Sequence, residues 1–249
     1  MLIPLLAFED NYIWLFGPPG QRVVVDPGDA KPVLSALQDE APAAVLITHH
    51  HNDHIGGLAA LRDKWPTLPV FAPNDTRIAH VSTRVQDGDV VEVGAFRFEV
   101  LAIPGHTLRH VAYFGEGHVF CGDTLFSLGC GRLFEGTPAQ MLQSLQRLAA
   151  LPGETKVCCG HEYTASNAKF ARTVDAENSA LRDYALHVEH LRAAGHASLP
   201  STLDIERACN PFLRTDTPSV ANSIAAHAGH PFQDAVSRFA ALRAWKDTY

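Results

Sequence analysis

Residues 43–54 read Ala-Ala-Val-Leu-Ile-Thr-His-His-His-Asn-Asp-His. The first five form a continuous apolar run, the pattern of a strand buried on both faces of a sheet. The run stops at Thr48, and the ligand-type side chains His49, His51, Asp53 and His54 follow at once. On an extended segment residues i and i+2 point the same way, so His49 and His51 face one position. Gly56-Gly57 and the helically spaced LAALRDKW then announce a helix, and the turn into it directs Asp53 and His54 toward a second position. Imidazole and carboxylate together suit zinc, iron or manganese. The alternative is a polar loop with chance histidines; this spacing, directly behind a buried strand, counts against it.

Three later segments repeat the arrangement. FRFEVLAI runs into Pro104-Gly105-His106, HVF into Cys121-Gly122-Asp123, and KVC into Cys159-Gly160-His161. In each an apolar strand meets Gly and then a ligand-type residue. Strand ends are where a rigid sheet gathers side chains from distant parts of a chain into one cleft. Seven ligands exceed one tetrahedral ion and suffice for two. His49, His51 and His106 are assigned to the first metal, and Asp53, His54 and His161 to the second. Asp123 bridges them, because a carboxylate offers lone pairs on two oxygens. Ions about 3.5–4 Å apart hold a water between them and lower its pKa from about 15.7 toward 7. Hydroxide is then available at neutral pH without a protein nucleophile. Asp123 as bridge and Asp53 are the catalytic candidates; for Asp53 the ligand role ranks before proton shuttling. His50 alternates away from its neighbours and His110 has no place in either set, so both are read as structural. Asp26, which ends VVVD before Pro-Gly, reads equally as the residue holding the 48–54 loop and as an ordinary turn aspartate.

Elsewhere, residues 2–7, 12–16, 22–26, 69–72, 89–93, 96–103, 110–114, 118–121 and 155–159 predict strands. Residues 30–39 and 137–151 predict helices, the second with Thr137 as N-cap and Pro138 in its first turn. Glu9-Asp10-Asn11 is read as turn chemistry between the first two strands. Beyond about residue 165 the pattern becomes helical, notably over 167–195 and 232–246. The expected division is a catalytic domain over 1–165 and a helical substrate-binding domain over 166–249. No internal repeat is evident.

Across 249 residues the apolar fraction is 46% and the charged fraction 19%, those of a globular protein. A net charge of −7 argues against broad binding to nucleic acid or acidic membrane, which needs a basic face. The five cysteines are odd in number and suggest no disulfide framework. The N-terminus has no basic leader, and no apolar stretch approaches the roughly 20 residues of a membrane span. The expectation is a cytoplasmic monomer that engages neither nucleic acid nor membrane.

Thr48 to His54 match THxHxDH, the signature of the metallo-β-lactamase superfamily. FCGDTLFSLGCGRLFEGTPAQM (120–141), VCCGHEYTASNAKFA (157–171), NPFLR (210–214) and RAWKD (243–247) more narrowly resemble the glyoxalase II, or hydroxyacylglutathione hydrolase, family. The resemblance spans nearly the whole chain. It implies an α/β fold: a four-layer αβ/βα sandwich with metals at one edge of two sheets, followed by a C-terminal helical domain. It implies two divalent metal ions, zinc foremost, with iron and manganese as alternatives. The implied reaction is hydrolysis of the thioester S-D-lactoylglutathione to D-lactate and glutathione, the second step of methylglyoxal detoxification. The resemblance also assigns substrate contacts. Arg243 and Lys246, on one helix face, meet the glycine carboxylate of glutathione; the bland alternative is a solvated basic face. Tyr163 and Asn167 match family positions. Arg132 stands where some members have Lys, and Phe134 where some have Tyr, so a hydroxyl contact is absent. Many relatives have Gly at Arg109; if that site needs positive φ, Arg109 is mildly strained.

By this reading the bridging hydroxide attacks the thioester carbonyl and the metals stabilise the oxyanion. A thiol has a pKa near 8.5, so the leaving group needs little protonation. No dedicated acid is apparent, which suits a thioester better than a lactam. Cys121 and Cys130 lie in no Cys–His motif and read as small buried residues. The competing enzyme class is a persulfide dioxygenase of the same superfamily with a single iron; the 120–141 block and the basic helical tail favour the thioesterase. A non-catalytic metal-binding protein is the third reading, and seven intact ligand positions argue against it.

Overall fold

The structure, a computed structural model, describes residues 1–249. One unit combines Met1–Ala102, Arg109–Gly122 and Cys158–His161; the other combines Ile103–Leu108, Asp123–Val157 and Glu162–Tyr249.

The first unit is built on two sheets. β1 (Leu2–Ala7) and β2 (Asn11–Phe16) pair antiparallel from Leu2 opposite Phe16 to Ala7 opposite Asn11. β3 (Val23–Val25) continues the antiparallel pairing. The chain then crosses over through α1 (Ala30–Leu37), capped by the Asp29 carboxylate on Lys31 N, and returns as β4 (Ala44–Leu46). β4 lies parallel between β3 and its other neighbour and is buried throughout, as a continuous apolar run requires. After the ligand loop come α2 (Asn52–Ile55), α3 (Leu58–Lys64), β5 (Val70–Pro73) and β6 (Thr83–Val85), the last two extending the parallel half of the sheet. Val24, Val45, Ile47 and Val70 form one buried cluster with Val33 and Leu37 of α1 and Leu58 and Leu61 of α3.

The second sheet carries β7 (Val90–Val93), β8 (Phe96–Ala102), β9 (Val111–Gly115) and β10 (His118–Gly122) as successive antiparallel neighbours. Two sheets stack because Phe16 of β2 meets the edges of Phe96, Phe98 and Phe120 at 5.0–6.0 Å between centroids. The buried Tyr113 hydroxyl donates to Ile47 O at 3.0 Å, tying β9 to the loop beyond β4. Burial pushes the Tyr113 phenol well above its ordinary range, so it stays a donor.

The second unit carries a small hairpin near the start of its Asp123–Val157 stretch, β11 (Leu125–Phe126) and β12 (Gly129–Cys130). α4 (Pro138–Ala149) begins at Thr137 with a full capping box, Thr137 and Gln140 each bonding the other's backbone. β13 (Lys156–Cys159), α5 (Thr164–Val174), α6 (Ser179–Ala193), β14 (Ser201–Thr202) and α7 (Leu203–Cys209) follow; Lys156 and Val157 pair antiparallel with Thr202 and Ser201. A 3₁₀ turn (Pro211–Leu213) leads to α8 (Pro218–Ala228) and α9 (Ala235–Asp247). Leu128 at the hairpin tip is buried with Ala168 and Ala171 of α5, Leu181 and Ala185 of α6 and Cys209 of α7.

The strands of four or more residues and α1, α3 and α4 lie within a residue or two of the positions read from the sequence; α5 and α9 begin three residues away from theirs, and α7 and α8 fall in the tail read only as generally helical. Residues 83–85, 125–126, 129–130 and 201–202 are strands that the apolar pattern did not announce, being two or three residues long. Arg109 is not among the residues with positive φ, so the strain considered there does not arise. All five cysteines are free and buried, and no helix is long and apolar enough to cross a membrane.

Candidate metal centre

In the first unit the ligand loop is anchored by Asp26. Its backbone is left-handed, at φ +52°, a conformation an aspartate holds only when its surroundings enforce it. The carboxylate supplies the enforcement. Thr48 N donates to Oδ1 at 2.8 Å, Thr48 Oγ1 donates to Oδ2 at 2.6 Å, and His54 Nδ1 lies 3.0 Å from Oδ2. Gly28 follows in the same turn, and a Cβ there would collide with the Asp53 carbonyl, so the turn and the loop pack backbone to backbone.

These bonds decide which imidazole nitrogen is bare. A carboxylate only accepts, so His54 carries its proton on Nδ1 and presents Nε2. Thr48 gives its single hydroxyl proton to Asp26 and therefore accepts from His49 Nδ1, 3.0 Å away. His161 Nδ1 lies 2.8 Å from Asp10 Oδ1 and is fixed the same way. The two Nε2 atoms turn toward Asp53: His54 Nε2 is 3.6 Å and His161 Nε2 3.3 Å from its Oδ2. Asp53, His54 and His161 offer ligand atoms all within 4.8 Å of one another. The His49 ring stands 4.1 Å from His54 and 4.7 Å from His51 between centroids. His110 stacks flat on His49, and His50 turns aside to Asp75, 3.5 Å away. The Arg77 guanidinium bonded to Asp75 holds that carboxyl below its usual range.

The second unit pairs His106 with Asp123. Arg132 O accepts from His106 Nδ1 at 2.9 Å, and the bare Nε2 lies 3.4 Å from Asp123 Oδ2. Gly131 makes this approach possible, since a Cβ there would strike the Asp123 carbonyl and come within 3.2 Å of His106 Nδ1. In both units an imidazole Nε2 thus faces a carboxylate oxygen at 3.3–3.6 Å. A neutral imidazole and a carboxylate are both acceptors there, and a cation shared between them satisfies both. Imidazole with carboxylate is also the donor chemistry of zinc, iron and manganese, so the residues present fit metal ions.

The residues expected to touch substrate divide by burial. Phe134 is 64% exposed and sets its edge against His106 at 5.2 Å. Tyr163 is partly exposed with its ring edge on Phe126. Arg132 is exposed and reaches Asp247 at 3.5 Å. Arg243, in contrast, is only 5% exposed. Its Nη1 donates to Cys130 O at 2.7 Å, its Nη2 to Asp247 at 3.2 Å, and its guanidinium lies over Phe212. Asn167 is likewise buried and donates to Ser127 O at 3.0 Å. Lys246 rests its ammonium over Phe170 and Tyr249 at 5.0 and 5.6 Å. Burial, and then the charges of Arg243 and Arg132, lower its pKa.

Four supporting residues escaped the sequence reading. Asp10 and Asn11 were read as turn formers, yet Asp10 meets His161 and Asn11 Nδ2 donates to Asp53 Oδ2 at 2.9 Å. Glu206 accepts from Leu128 N at 2.8 Å, and Asn210 donates to Phe126 O and Gly129 O, so both brace the 125–130 hairpin. NPFLR, quoted for the resemblance, begins with Asn210; that was the available signal.

Residues 7–161 match the metallo-beta-lactamase superfamily and residues 162–249 the hydroxyacylglutathione hydrolase C-terminus. A hydroxyacylglutathione hydrolase of Xylella fastidiosa (strain M12) is 52% identical over 250 residues, covering all of this chain and 97% of that protein. The chain belongs to the hydroxyacylglutathione hydrolase family. Among solved structures, ETHE1 from Myxococcus xanthus aligns with a TM-score of 0.67 at 27% identity over 98% of both chains. TTHA1623, solved in a di-iron-bound form, aligns with a TM-score of 0.54 at 30% identity over 65% of this chain and 91% of its own. The fold of this hydroxyacylglutathione hydrolase family member is thus the metallo-β-lactamase α/β sandwich with a C-terminal helical region.

Proposed function

We propose that the chain hydrolyses S-2-hydroxyacylglutathione thioesters, S-D-lactoylglutathione foremost, to the hydroxy acid and glutathione. The observation that carries this is the common orientation of the ligand imidazoles: Nδ1 engaged outward at His49, His54, His106 and His161, and Nε2 turned to a carboxylate at His54, His106 and His161. The naming of the Xylella relative supplies the substrate class.

His49, His51 and His106 would hold one divalent ion, Asp53, His54 and His161 a second, and Asp123 would bridge. Covalent continuity supports this convergence, because Asp123 directly follows Gly122, the last residue of β10, and His161 follows β13 by two residues. Zinc is the first choice, with iron and manganese compatible; the di-iron form of TTHA1623 fits a paired centre. When bound, the two ions polarise the thioester carbonyl and acidify water toward neutral pH. Everything else falls to the chain. Asp26, Asp10 and Asn11 keep the ligands aimed. Arg132 and Lys246 attract the anionic end of glutathione; burial first, and then the charges of Arg243 and Arg132, lower the Lys246 pKa, and an anion beside the ammonium offsets that charge repulsion. Arg243 and Asn167 hold the 125–132 segment. Phe134 gives apolar contact beside His106, and Tyr163, packed on Phe126, gives phenolic contact. The thiolate, with a pKa near 8.5, departs with little need of a proton donor. In this division residues 1–165 bring the metal ligands, and residues 166–249 bring Asn167, Arg243 and Lys246. The five reduced, buried cysteines suit the cytoplasm.

The test is loss of thioester absorbance from S-D-lactoylglutathione before and after exhaustive chelation, alongside oxygen uptake with glutathione persulfide. Hydrolysis that chelation abolishes and added zinc restores is the expected result. Turnover that survives complete removal of metal, or oxygen uptake faster than thioester cleavage, defeats the proposal.

A further inference from the structure

We infer that the β1–β2 turn is the positioning element for the Asp53–His54–His161 half of the metal centre, with Asp10 setting the tautomer of His161 and Asn11 orienting the Asp53 carboxylate. This rests on the metal-ligand reading above and adds two residues to it.

The turn is placed by its backbone before any side chain acts. Phe8 takes a left-handed φ of +51°, which brings Ala7 opposite Asn11 across the hairpin. Asn11 then forms an antiparallel bridge with His161, and Tyr12 N donates to Gly160 O at 2.8 Å. The start of β2 is therefore stitched to the segment carrying His161. On that frame the two side chains diverge. Asp10 turns its Oδ1 to His161 Nδ1 at 2.8 Å. Asn11, 6% exposed, sends one amide nitrogen to three atoms of the site: Asp53 Oδ2 at 2.9 Å, Asp53 O at 3.4 Å and His161 Nε2 at 3.5 Å.

The chemistry assigns each residue a distinct task. Imidazole binds a cation through a bare nitrogen, and a carboxylate on the other nitrogen both fixes that tautomer and raises the ring's basicity. Asp10 is that carboxylate for His161, as Asp26 is for His54. Asp53 has a different problem, because its side chain is 40% exposed and can rotate. A single amide donor on Oδ2 and on the backbone carbonyl fixes the carboxylate plane. An amide is the suitable donor: it carries no charge to compete with a cation and cannot itself lose a proton near neutral pH. Glu9, the remaining polar residue of the turn, is exposed and serves as the control.

The experiment compares zinc-loaded parent, Asp10→Ala, Asp10→Asn, Asn11→Ala and Glu9→Ala. Zinc per chain is measured after equilibration with graded chelator, and ¹⁵N shifts report the His161 ring. Asp10→Ala and Asn11→Ala should release one ion at about 10- to 100-fold lower chelator strength than the parent, with unchanged circular dichroism. Glu9→Ala should match the parent, and Asp10→Asn should lie between. His161 should show protonated Nδ1 in the parent and lose that signature in Asp10→Ala. Should Asp10→Ala not fold, Asp10→Asn decides by the same measurements. Parental zinc retention together with an unchanged His161 signature in the deciding variant overturns the inference. A parent that cannot be loaded to two ions defeats the dinuclear reading instead, and the His161 signature still judges Asp10 separately.

Discussion

The ligand loop of the first unit and the 125–132 segment of the second solve one problem, holding a side chain still, in opposite ways. The loop uses a charge. Asp26 takes three bonds on one buried carboxylate and accepts a left-handed backbone to do so. The 125–132 segment is held mainly through its carbonyls, which accept from the neutral amides of Asn167 (Ser127 O) and Asn210 (Phe126 O and Gly129 O), from His106 (Arg132 O) and from one buried cation, Arg243 (Cys130 O). Its one buried carboxylate, Glu206, has its pKa raised by burial. The difference follows from what each supports. Ligand imidazoles gain from a charged partner, which strengthens their donor nitrogen. A hairpin of few residues needs its carbonyls and amides satisfied, which neutral donors do without a desolvation cost; its one buried cation, Arg243, has the Asp247 carboxylate beside it.

The sharpest way to break this contrast is Asp26→Ala. It strips the acceptor from Thr48 N and from His54 together. Stability should fall by about 2–4 kcal/mol, since a buried donor left without a partner costs about 1–3 kcal/mol by itself. The catalytic loss should reach about 100-fold in kcat/KM, the upper end for losing a ligand's supporting carboxylate. Urea denaturation and zinc content per chain measure both. A variant with parental zinc and parental kcat/KM shows that the loop holds itself and that the left-handed turn serves another purpose.

The counterpart in the second unit is Glu206→Gln, whose effect depends on pH. Burial raises the Glu206 pKa above the ordinary 4.5, so the folded state holds this proton more tightly than the unfolded state. Where the folded state binds more protons, stability decreases as pH rises. The contribution is therefore full below about pH 4.5 and declines as pH climbs through the raised folded-state value. Glutamine cannot ionise, so the difference in urea midpoint between parent and variant should move in the variant's favour from pH 4.5 upward and then level off. A difference independent of pH places a permanent charge on Glu206 and removes the contrast with Asp26.

These two regions were unequally legible in the sequence, for a physical reason. Metal ligation, the role proposed for these residues, imposes spacing: His49, His51, Asp53 and His54 are close in sequence, as one short segment that turns them together would require, and strand ends before Gly mark His106, Asp123 and His161. β4 was legible because burial on both faces forbids polar residues. Supporting contacts obey no such spacing. Asp10 meets a residue 151 positions away, and an aspartate in a turn has an adequate local explanation, so nothing draws attention to it. Asp26 was evenly balanced between loop anchor and turn former; the structure makes it both. Arg243 shows the same limit. Its place beside Lys246 on one helix face was readable, but that this face turns Arg243 inward to Cys130 O depends on packing that the RAWKD motif does not encode.

That asymmetry within α9 is itself testable. Lys246 is partly exposed while Arg243 is committed to Cys130 O and Asp247. Lys246→Ala should raise KM about 10-fold with kcat nearly unchanged, the signature of lost binding remote from the reacting carbon. Arg243→Ala should raise KM and also lower kcat and stability, because it loosens the segment whose Arg132 carbonyl orients His106. The double variant should still raise KM more than it lowers kcat. Identical kinetics in the two single variants remove the distinction between a binding and a bracing cation.

The smallest effect is expected at Phe134. Its ring is mostly in solvent, with one edge on His106. A neutral hydrogen bond gained from solvent contributes about 1 kcal/mol net, or roughly fivefold in binding. Phe134→Tyr adds a hydroxyl to a ring that is 64% exposed, where it can meet glutathione. KM should fall by at most about fivefold, with kcat and the urea midpoint unchanged. The decisive point is which quantity moves. A lower KM alone places Phe134 on the recognition side of the molecule. A change in kcat instead means that its edge contact steers His106, and the bracing of the second unit then extends two residues further along the chain than Arg132.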